Sequence, residues 1–349
     1  MSKKQIFENK FPYPQYLGSK YIHLNWIQSH LPDNVDVALD AFAGSQSVSY
    51  RFKQLGIETH TNDLMMFSHS IGKSLIENKS DLLSDDEVDM LFTSNNNSEF
   101  TLIQDVFTDV FFKIDESKIL DSFRYNLEIS ELSEYKKDLA FTIMFRSLTQ
   151  KIIMGHFGHA QAINYANTPE RAKRNPTIIT PIKILFKSLV ESYNSSIFDN
   201  GRQNKSYNSN IIELIPKIKK LDLIYFDPPY VGSHSDYQSF YHLLETYRRY
   251  WKNKKFINKI KRYEPKIISG FETKKDATTS FKKMFDISKS IPNWILSYND
   301  NSYPDKDTMY KLLSEYKKVE LDTFYYENSR GGKGSKKGSS ELLFICSPK

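Results

Sequence analysis

The feature that most constrains this chain is a run of strand-forming residues that stops at two prolines. Residues 221–226 read Leu-Asp-Leu-Ile-Tyr-Phe, and Asp227-Pro228-Pro229-Tyr230 follow directly. Proline has no backbone N–H and its φ is fixed, so two prolines cannot continue a central strand. The chain must therefore leave the sheet at Asp227, at the carboxyl edge where open α/β sheets bind ligands.

Residues 227–230 place two hydrogen-bond acceptors beside an aromatic ring. Asp227 carries a carboxylate, Pro228 has a carbonyl that no neighbouring N–H need occupy, and Tyr230 has a flat face. Such a set suits a planar ring with an exocyclic amine, because the acceptors hold the NH₂ group while the tyrosine stacks on the ring. The alternative is a strand followed by a proline turn with a buried tyrosine.

A second pattern of strand, turn and helix lies near the N-terminus. A short apolar strand over 35–39 ends at the small-residue turn 40–45, and a helix over 48–55 follows. Gly44 lets the backbone approach a ligand that faces the helix N-terminus. The next strand ends at Asp63, roughly 20 positions later, where an acidic residue can hold a ribose diol. The alternative for Asp63 is an N-cap of the following helix.

The order of the elements predicts an α/β fold with a mostly parallel sheet. Two final strands over 319–326 and 341–346 suggest an antiparallel hairpin that closes one edge of that sheet. An aromatic and basic helix is expected over 237–251. Residues 81–200 differ from the rest in being acidic and mainly helical, and we interpret them as an insertion between core parts 1–80 and 201–349.

Composition favours a protein of the reducing cytoplasm. Hydrophobic residues make up 39% of the 349 residues and charged ones 26%. The single cysteine, Cys346, excludes an internal disulfide. The polar N-terminus does not resemble a signal peptide, and no apolar stretch is long enough to cross a bilayer. No Cys/His cluster has zinc spacing, so we expect no structural metal.

Charge is unevenly distributed along the chain. Residues 81–138 carry 15 acidic and 5 basic side chains, whereas 248–283 carry 13 basic and 3 acidic, and 146–187 carry 7 basic and 1 acidic. Basic blocks are often only solvated faces. Two basic blocks interleaved with aromatic residues and a separate acidic block nevertheless predict a side that faces a polyanion and an opposite side.

A polar and aromatic loop over 155–165 is a candidate for reading base edges or phosphates. It contains His156 and His159, and because no third ligand lies nearby we favour this reading over a metal site. Plain packing of the loop is the alternative. The other candidates for contact with a polyanion are the basic residues Arg171, Lys173, Arg174, Lys254, Lys255, Lys336 and Lys337.

In this order the motifs resemble those of the Dam-type N6-adenine DNA methyltransferases, which depend on S-adenosylmethionine. Apart from the insertion, the resemblance runs from about Tyr16 to Phe344. Residues 16–20 are similar to the family's aromatic-x-Gly-Gly-Lys and residues 40–47 to its acidic-Pro-Phe-x-Gly-x-Gly-Ser turn. Three departures are Ser19 and Gln46 in place of glycines, and Asn210 where many relatives have aspartate.

The resemblance implies a Rossmann-like class I methyltransferase fold that acts on a flipped adenine in double-stranded DNA, with 81–200 as the target-recognition region. It implies catalysis by Asp227, Pro228, Pro229 and Tyr230. It implies S-adenosylmethionine binding by Tyr16, Gly18, Lys20, Asp40, Phe42, Ala43, Gly44, Ser45, Asp63, Asn210 and Asp227.

Other functions stay open at this point. RNA adenine or cytosine-N4 methylation would favour Asn or Ser ahead of the two prolines, and Asp227 argues against both. A catalytically silent DNA-binding module is disfavoured by intact Asp227 and Tyr230. The resemblance suggests a cognate restriction endonuclease as a possible partner, and it leaves restriction–modification, regulation and phage protection as alternative roles.

Overall fold

The computed structural model describes residues 6–13, 15–95, 97–159, 162–231, 236–271, 273–325 and 340–349. The strands are β1 Val37–Asp40, β2 Glu58–Asp63, β3 Lys205–Asn208, β4 Leu223–Phe226, β5 Lys255–Ile257, β6 Arg262–Glu264, β7 Asn293–Asn299, β8 Lys318–Tyr325 and β9 Ser340–Ser347. The helices are α1 Leu24–Ser29, α2 Ser47–Gln54, α3 Met66–Gly72, α4 Asp85–Leu91, α5 Leu102–Phe107, α6 Ile114–Ile129, α7 Glu134–Gln150, α8 Ala162–Ala166, α9 Pro169–Arg174, α10 Ile182–Asn194, α11 Ile211–Leu214, α12 Tyr237–Phe240, α13 His242–Arg249, α14 Lys274–Ser288 and α15 Lys306–Ser314. Short 3₁₀ turns cover Lys20–His23, Pro176–Ile178 and Ile215–Lys217, and a π turn covers Lys73–Glu77.

Within the described residues, seven strands form one sheet in the order β3-β2-β1-β4-β7-β9-β8. The first five of these are parallel, and β9 runs antiparallel to both β7 and β8. The predicted α/β fold with an antiparallel C-terminal edge hairpin is confirmed. The strand order reverses between β1 and β4, which opens a crevice at their carboxyl ends.

Strand β4 is buried on both faces, which explains its continuous apolar sequence. Ile224 and Phe226 pack in a cluster with Phe285 of α14 on one face of the sheet. Leu223 and Tyr225 point the other way and pack with Phe52 of α2. The first charged side chain after this apolar strand is Asp227, directly beyond its end.

The helices α4 to α10 lie between β2 and β3 in the sequence. Among them, α4 to α7 and α10 share one apolar cluster with flanking parts of the chain, since Phe141 of α7 packs there with Phe67 of α3 and Tyr247 of α13. The helical region is therefore continuous with the sheet's own covering layer. The division at 80 and 200 stays a prediction.

The expected helix over 237–251 is wrong in its length and its end. It is split into α12 and α13 at Tyr241, and Tyr250 turns the chain with a φ of 53°. The basic stretch beyond it forms the antiparallel hairpin of β5 and β6, which the sequence analysis did not predict. Alternation over three residues per strand is too short a signal, and Asn258 and Lys261 turn the hairpin with positive φ.

Among the described helices, none has the length and apolar character needed to span a membrane.

Candidate active site

A cavity of about 290 Å³ lies at the carboxyl ends of β1, β2 and β4. Every residue that the sequence assigns to the cofactor lines it, although these residues come from five separate stretches of chain. Asp227 and Pro229 of the Asp-Pro-Pro-Tyr motif line the same cavity, while Tyr230 lies beside it. The crevice thus brings the N-terminal turn and the motif after β4 to a single site.

Two glycines allow the chain to close around this cavity. Gly44 has a φ of 47°, and a Cβ there would lie 3.0 Å from the ring of Tyr16. Gly18 has a φ of 77°, and a Cβ there would lie 2.5 Å from the hydroxyl of Tyr237. Both positions require a left-handed backbone and a close approach, so glycine is the residue that fits.

The departure at Gln46 is accommodated by the fold. Gln46 adopts a φ of 68° at the start of α2, which is the conformation that favours the glycine of the family motif. Its side chain is buried away from solvent, where its oxygen accepts from Thr61 at 2.5 Å and its nitrogen donates to the carbonyl of Ser68 at 3.1 Å. Gln46 does not line the cavity.

Asp63 accepts two backbone hydrogen bonds at the tip of β2. Its Oδ1 accepts from the N–H of Met65, the residue before α3, at 2.8 Å. Its Oδ2 accepts from the N–H of Gly44 at 2.9 Å, which ties the turn after β1 to the end of β2. Burial raises the pKa of Asp63 to about 6 despite these donors. The carboxylate also lines the cavity and keeps lone pairs for a ligand.

Asp40, at the end of β1, presents a second acceptor to the cavity. Ser49 donates to its Oδ2 at 2.7 Å. Its Oδ1 is buried and has no hydrogen-bond partner among the described residues. Burial raises the pKa of this carboxyl to about 7. An unsatisfied buried acceptor of this kind is costly and fits a site that a ligand's donor completes.

The carboxylate of Asp227 is engaged by Lys20, from the other end of the chain. The Lys20 Nζ lies 2.9 Å from Asp227 Oδ1 and 2.8 Å from Oδ2. The Tyr230 hydroxyl lies 3.0 Å from Asp227 Oδ1 and 2.8 Å from Glu341 Oε1, so its single proton can be donated to either carboxylate. Lys20 is therefore held by the catalytic motif as well as lining the cavity.

Burial and charge set the protonation of this cluster. Burial raises the pKa of Asp227, while Lys20 opposes that shift. Burial alone would lower the pKa of Lys20, but the charges of Asp227 and Glu341 outweigh it and hold that pKa well above its ordinary value. Lys20 is thus a cation throughout the physiological range.

A stack of tyrosines forms another wall. The Tyr16 ring lies between those of Tyr241, at 4.6 Å and 3°, and Tyr237, at 5.9 Å and 12°. The Tyr241 hydroxyl accepts from the N–H of Leu17 at 2.7 Å. This contact fixes the loop that carries Gly18 and Lys20 against the segment that follows the catalytic motif.

That segment, residues 236–242, is called here the rim segment. On one side it contacts the loop 151–159, the histidine loop, where the Phe157 N–H donates to the Phe240 carbonyl at 2.7 Å. On the other side it contacts residues 254–267, the basic hairpin, where the Ile267 N–H donates to Gln238 at 2.8 Å. Both elements therefore adjoin the cavity mouth.

The predicted DNA-contacting residues have different environments. His156 is buried with its ring 4.8 Å from that of Phe240, whereas His159 is exposed. Arg171 lies 4.0 Å from the ring of Tyr165, and Lys254 lies 4.9 Å from that of Trp251. Four of the predicted residues are exposed on α9 and β5, namely Arg171, Lys173, Arg174 and Lys255. Lys336 and Lys337 lie outside the described residues.

The expected separation of the basic and acidic blocks is wrong for part of each. Lys183 and Lys187 both contact Asp89, at 3.0 and 2.7 Å. Lys151 pairs with Glu116 at 2.9 Å, and Arg248 pairs with the buried Asp138 at 3.2 Å. Because these helices pack on one another, such residues neutralise each other and leave fewer basic side chains for a polyanion.

Comparison with known proteins identifies the family. The profile of the D12 class N6 adenine-specific DNA methyltransferases matches residues 16–312. The chain belongs to this family. It is an adenine-specific DNA methyltransferase, as predicted, and the RNA, cytosine-N4 and catalytically silent alternatives are not supported.

Three relatives of this methyltransferase are Type II or modification enzymes. It is 29% identical to Type II methyltransferase M2.HphI of Haemophilus parahaemolyticus, over 96% of this chain and 98% of the relative. It is 26% identical to modification methylase StsI of Streptococcus sanguinis, over 96% of this chain and 52% of the relative. It is 25% identical to Type II methyltransferase M.FokI of Planomicrobium okeanokoites, over 68% and 37%. The chain spans about half the length of the StsI methylase and less of M.FokI.

Sequence reasoning missed two residues of the methyltransferase site, Tyr237 and Glu341. Tyr237 belongs to an aromatic stripe that the sequence analysis read as a helix. Glu341 directly precedes the apolar run 342–346 in the last strand. A charged residue at the start of such a strand was the available signal, but its partners Lys20, Tyr230 and Ser297 all lie far from it in the sequence.

Proposed function

We propose that this methyltransferase takes its methyl group from S-adenosylmethionine and transfers it to N6 of an adenine flipped out of double-stranded DNA. The observation that carries the proposal is the single cavity shared by the turn 40–45, Asp63 and Asp227. S-adenosylmethionine supplies an electrophilic methyl group on a positively charged sulfonium.

The described residues fit such a cofactor. Asp63 offers lone pairs to ribose hydroxyls at the tip of β2. The unpartnered Oδ1 of Asp40 suits an ammonium group. Asn210 caps α11 by accepting from the Ile212 N–H at 3.0 Å, which holds it at the cavity wall.

Asp227 and Pro228 activate the adenine amine. Among the described residues, no N–H or O–H group donates to the Pro228 carbonyl, so it can accept one N–H of N6 while Asp227 accepts the other. Two acceptors favour a pyramidal nitrogen with a localised lone pair. That lone pair forms the new N–C bond as the S–CH₃ bond breaks and leaves its electrons on sulfur, and N6 then releases a proton.

The target base can enter this cavity only after it has flipped out of the DNA double helix. Flipping costs roughly a few kcal/mol, which stacking on an aromatic ring and contacts with the DNA backbone offset. The Tyr230 ring packs edge-on against Tyr298 at 5.3 Å, which fixes its plane. We propose that Tyr230 forms one face of the base pocket.

We further propose that residues 81–200 and the basic hairpin contact DNA around the flipped base. The histidine loop and the basic hairpin both contact the rim segment, so they flank the cavity mouth. Exposed His159 and Arg171 are the side chains placed to reach the duplex, and buried His156 positions the loop.

The relatives suggest the biological setting. Because they are Type II and modification methyltransferases, we propose a role in restriction–modification in the cytoplasm, alongside an endonuclease of matching specificity.

The proposal is tested by cofactor binding and by the product. Calorimetry should show S-adenosylmethionine binding that Asp63→Ala weakens by about 1.5–3 kcal/mol for each charge-assisted hydrogen bond removed. Asp33→Ala, at an exposed residue far from the cavity, serves as the control. Mass spectrometry of digested DNA should find N6-methyladenine with the wild type and none with Asp227→Ala. N4-methylcytosine as the product, or full activity of Asp227→Ala, would contradict the mechanism.

A further inference from the structure

A second buried carboxylate lies beside the catalytic motif, outside the part of the chain that matches the family. Glu341 is 3% exposed and lies near the start of β9. Its Oε1 accepts from the Tyr230 hydroxyl at 2.8 Å and from the Ser297 hydroxyl at 2.7 Å. The Lys20 Nζ lies 3.4 Å from the same oxygen.

Lys20 is shared between two carboxylates. It contacts both oxygens of Asp227 and one oxygen of Glu341, so a charge of −1 results when both carboxylates are ionised. Without Glu341 the remaining pair would be neutral. A neutral pair with both Asp227 oxygens engaged by an ammonium has little negative potential left for a third group.

That residual charge matters because methyl transfer moves a positive charge onto N6. A negative group placed beforehand beside the nitrogen stabilises this charge as it develops, and the effect is large in a site shielded from water. Asp227 is the group that touches N6 in the proposed function. The negative potential that Asp227 presents to N6 depends on how far the positive charge of Lys20 offsets it.

We infer that Glu341 is a positioning residue for methyl transfer, whose charge offsets Lys20 and so leaves the negative charge of Asp227 available to the adenine amine. The inference rests on the proposed function and deepens it. Glu341 holds Lys20 from one side, and through the Tyr230 hydroxyl it also holds the ring beside Asp227.

Apart from Asp40, the neighbouring titratable groups keep one charge state near neutral pH. Burial raises the pKa of each nearby tyrosine. Burial lowers the pKa of His23, which interacts with Glu341, to about 4, so it is neutral. Burial raises the pKa of Asp40, which interacts with Asp227, to about 7, so its charge changes near neutral pH. The groups that face the two carboxylates are Tyr16, Lys20, His23, Asp40, Tyr225, Tyr230 and Tyr237.

The test is the rate of a single turnover on preformed complexes of enzyme, S-adenosylmethionine and duplex DNA. Glu341→Gln keeps the shape of the side chain and its contact with Ser297. It should slow methyl transfer on the order of 10- to 100-fold while the dissociation constants of cofactor and DNA stay unchanged. Glu320→Gln removes an exposed charge from neighbouring β8 and should match the wild type.

The pH dependence of the single-turnover rate distinguishes an electrostatic effect of Glu341 from structural damage caused by its substitution. Glu341 raises the pKa of Asp227, so its loss should move the acid limb of the rate profile to lower pH even as the maximum falls. In a Lys20→Met/Glu341→Gln variant, Asp227 is the one ionisable group left of the three, so the net charge of the cluster is again −1 when Asp227 is ionised. It should therefore transfer methyl groups faster than Glu341→Gln alone.

Each contrary outcome is decisive. A wild-type rate in Glu341→Gln, an unshifted acid limb, a loss explained by weaker binding or unfolding, or a double variant no faster than Glu341→Gln would overturn the role of Glu341. Asp227→Ala is measured in parallel. If it stays active the proposed function fails, whereas an inactive Asp227→Ala with an unaffected Glu341→Gln removes only the role of Glu341.

Discussion

At the scale of single residues, the hydroxyl of Tyr230 is as much a part of the site as its ring. The sequence motif presents Tyr230 as a stacking surface. In the structure its hydroxyl also accepts from Lys20 at 3.0 Å and contacts both Asp227 and Glu341. In addition to its proposed contact with the base, Tyr230 therefore orders the buried charges.

The two functions of Tyr230 can be separated by substitution. Tyr230→Phe keeps the π-face but removes the hydroxyl, so the single-turnover rate should fall several-fold with little change in DNA affinity. Tyr230→Ala should lose most activity, because base–aromatic stacking is worth about 1–3 kcal/mol. Tyr298→Phe is the matched control, since the Tyr298 hydroxyl contacts the Tyr303 carbonyl and not the cluster. Equal rates for Tyr230→Phe and the wild type would limit Tyr230 to stacking.

At the scale of elements, the basic hairpin is the surface that we propose for DNA. Many charges elsewhere in the basic blocks are paired with acids, such as Lys187 with Asp89, whereas Lys255 and Lys259 are exposed. The hairpin is held to the rim segment by Gln238, whose side chain bonds Ile267 in both directions. Its charges therefore have a fixed position beside the cavity mouth.

Neutralising Lys254, Lys255 and Lys259 together should flatten the salt dependence of DNA binding. Removing one lysine–phosphate interaction reduces the slope of log K against log salt by about one. The control replaces Lys282 and Lys283, which are exposed like Lys255 and Lys259 but belong to α14, the helix that covers one face of the sheet. Fluorescence anisotropy over a salt series measures both. A larger reduction of the slope with the α14 variant would place DNA on a different face.

At the scale of the whole molecule, Lys53 contacts both ends of the helical region between β2 and β3. It belongs to α2 and is fully buried, with its Nζ donating to the carbonyls of Leu75 at 3.0 Å and Asn78 at 2.9 Å. The same ammonium lies 4.5 Å from the ring of Phe198, at the far end of the insertion. Burial lowers its pKa from 10.5 to about 7.

This burial predicts a pH-dependent stability. Between pH 7 and 10.5 the unfolded chain keeps a proton on Lys53 that the folded chain has released, so the contribution of Lys53 to stability rises with pH. The slope is at most about 1.4 kcal/mol per pH unit. Denaturant unfolding at several pH values should show that Lys53→Met lacks this rise, whereas Lys79→Met, at a partly exposed lysine nearby, keeps it. Parallel pH profiles for the wild type and Lys53→Met would contradict the prediction.

The sequence by itself determined the fold class and the strand-end residues that line the cavity. Two prolines after a strand end that strand whatever surrounds it, and a small-residue turn between a strand and a helix lets the backbone approach a ligand. These are local rules of backbone geometry, so Asp227, Asp63 and the turn 40–45 could be assigned from their neighbours alone. The strands and helices of the core followed from their apolar patterns for the same reason.

Only the tertiary structure decided how the charges are arranged. Lys20, Asp227 and Glu341 come from three distant parts of the chain, and nothing in their local sequence shows that they share one buried cluster. The pairing of Lys187 with Asp89 and the docking of the basic hairpin on Gln238 depend in the same way on which helices pack together. Electrostatic interactions depend on separation in space and on burial, and a linear sequence fixes neither until the chain has folded.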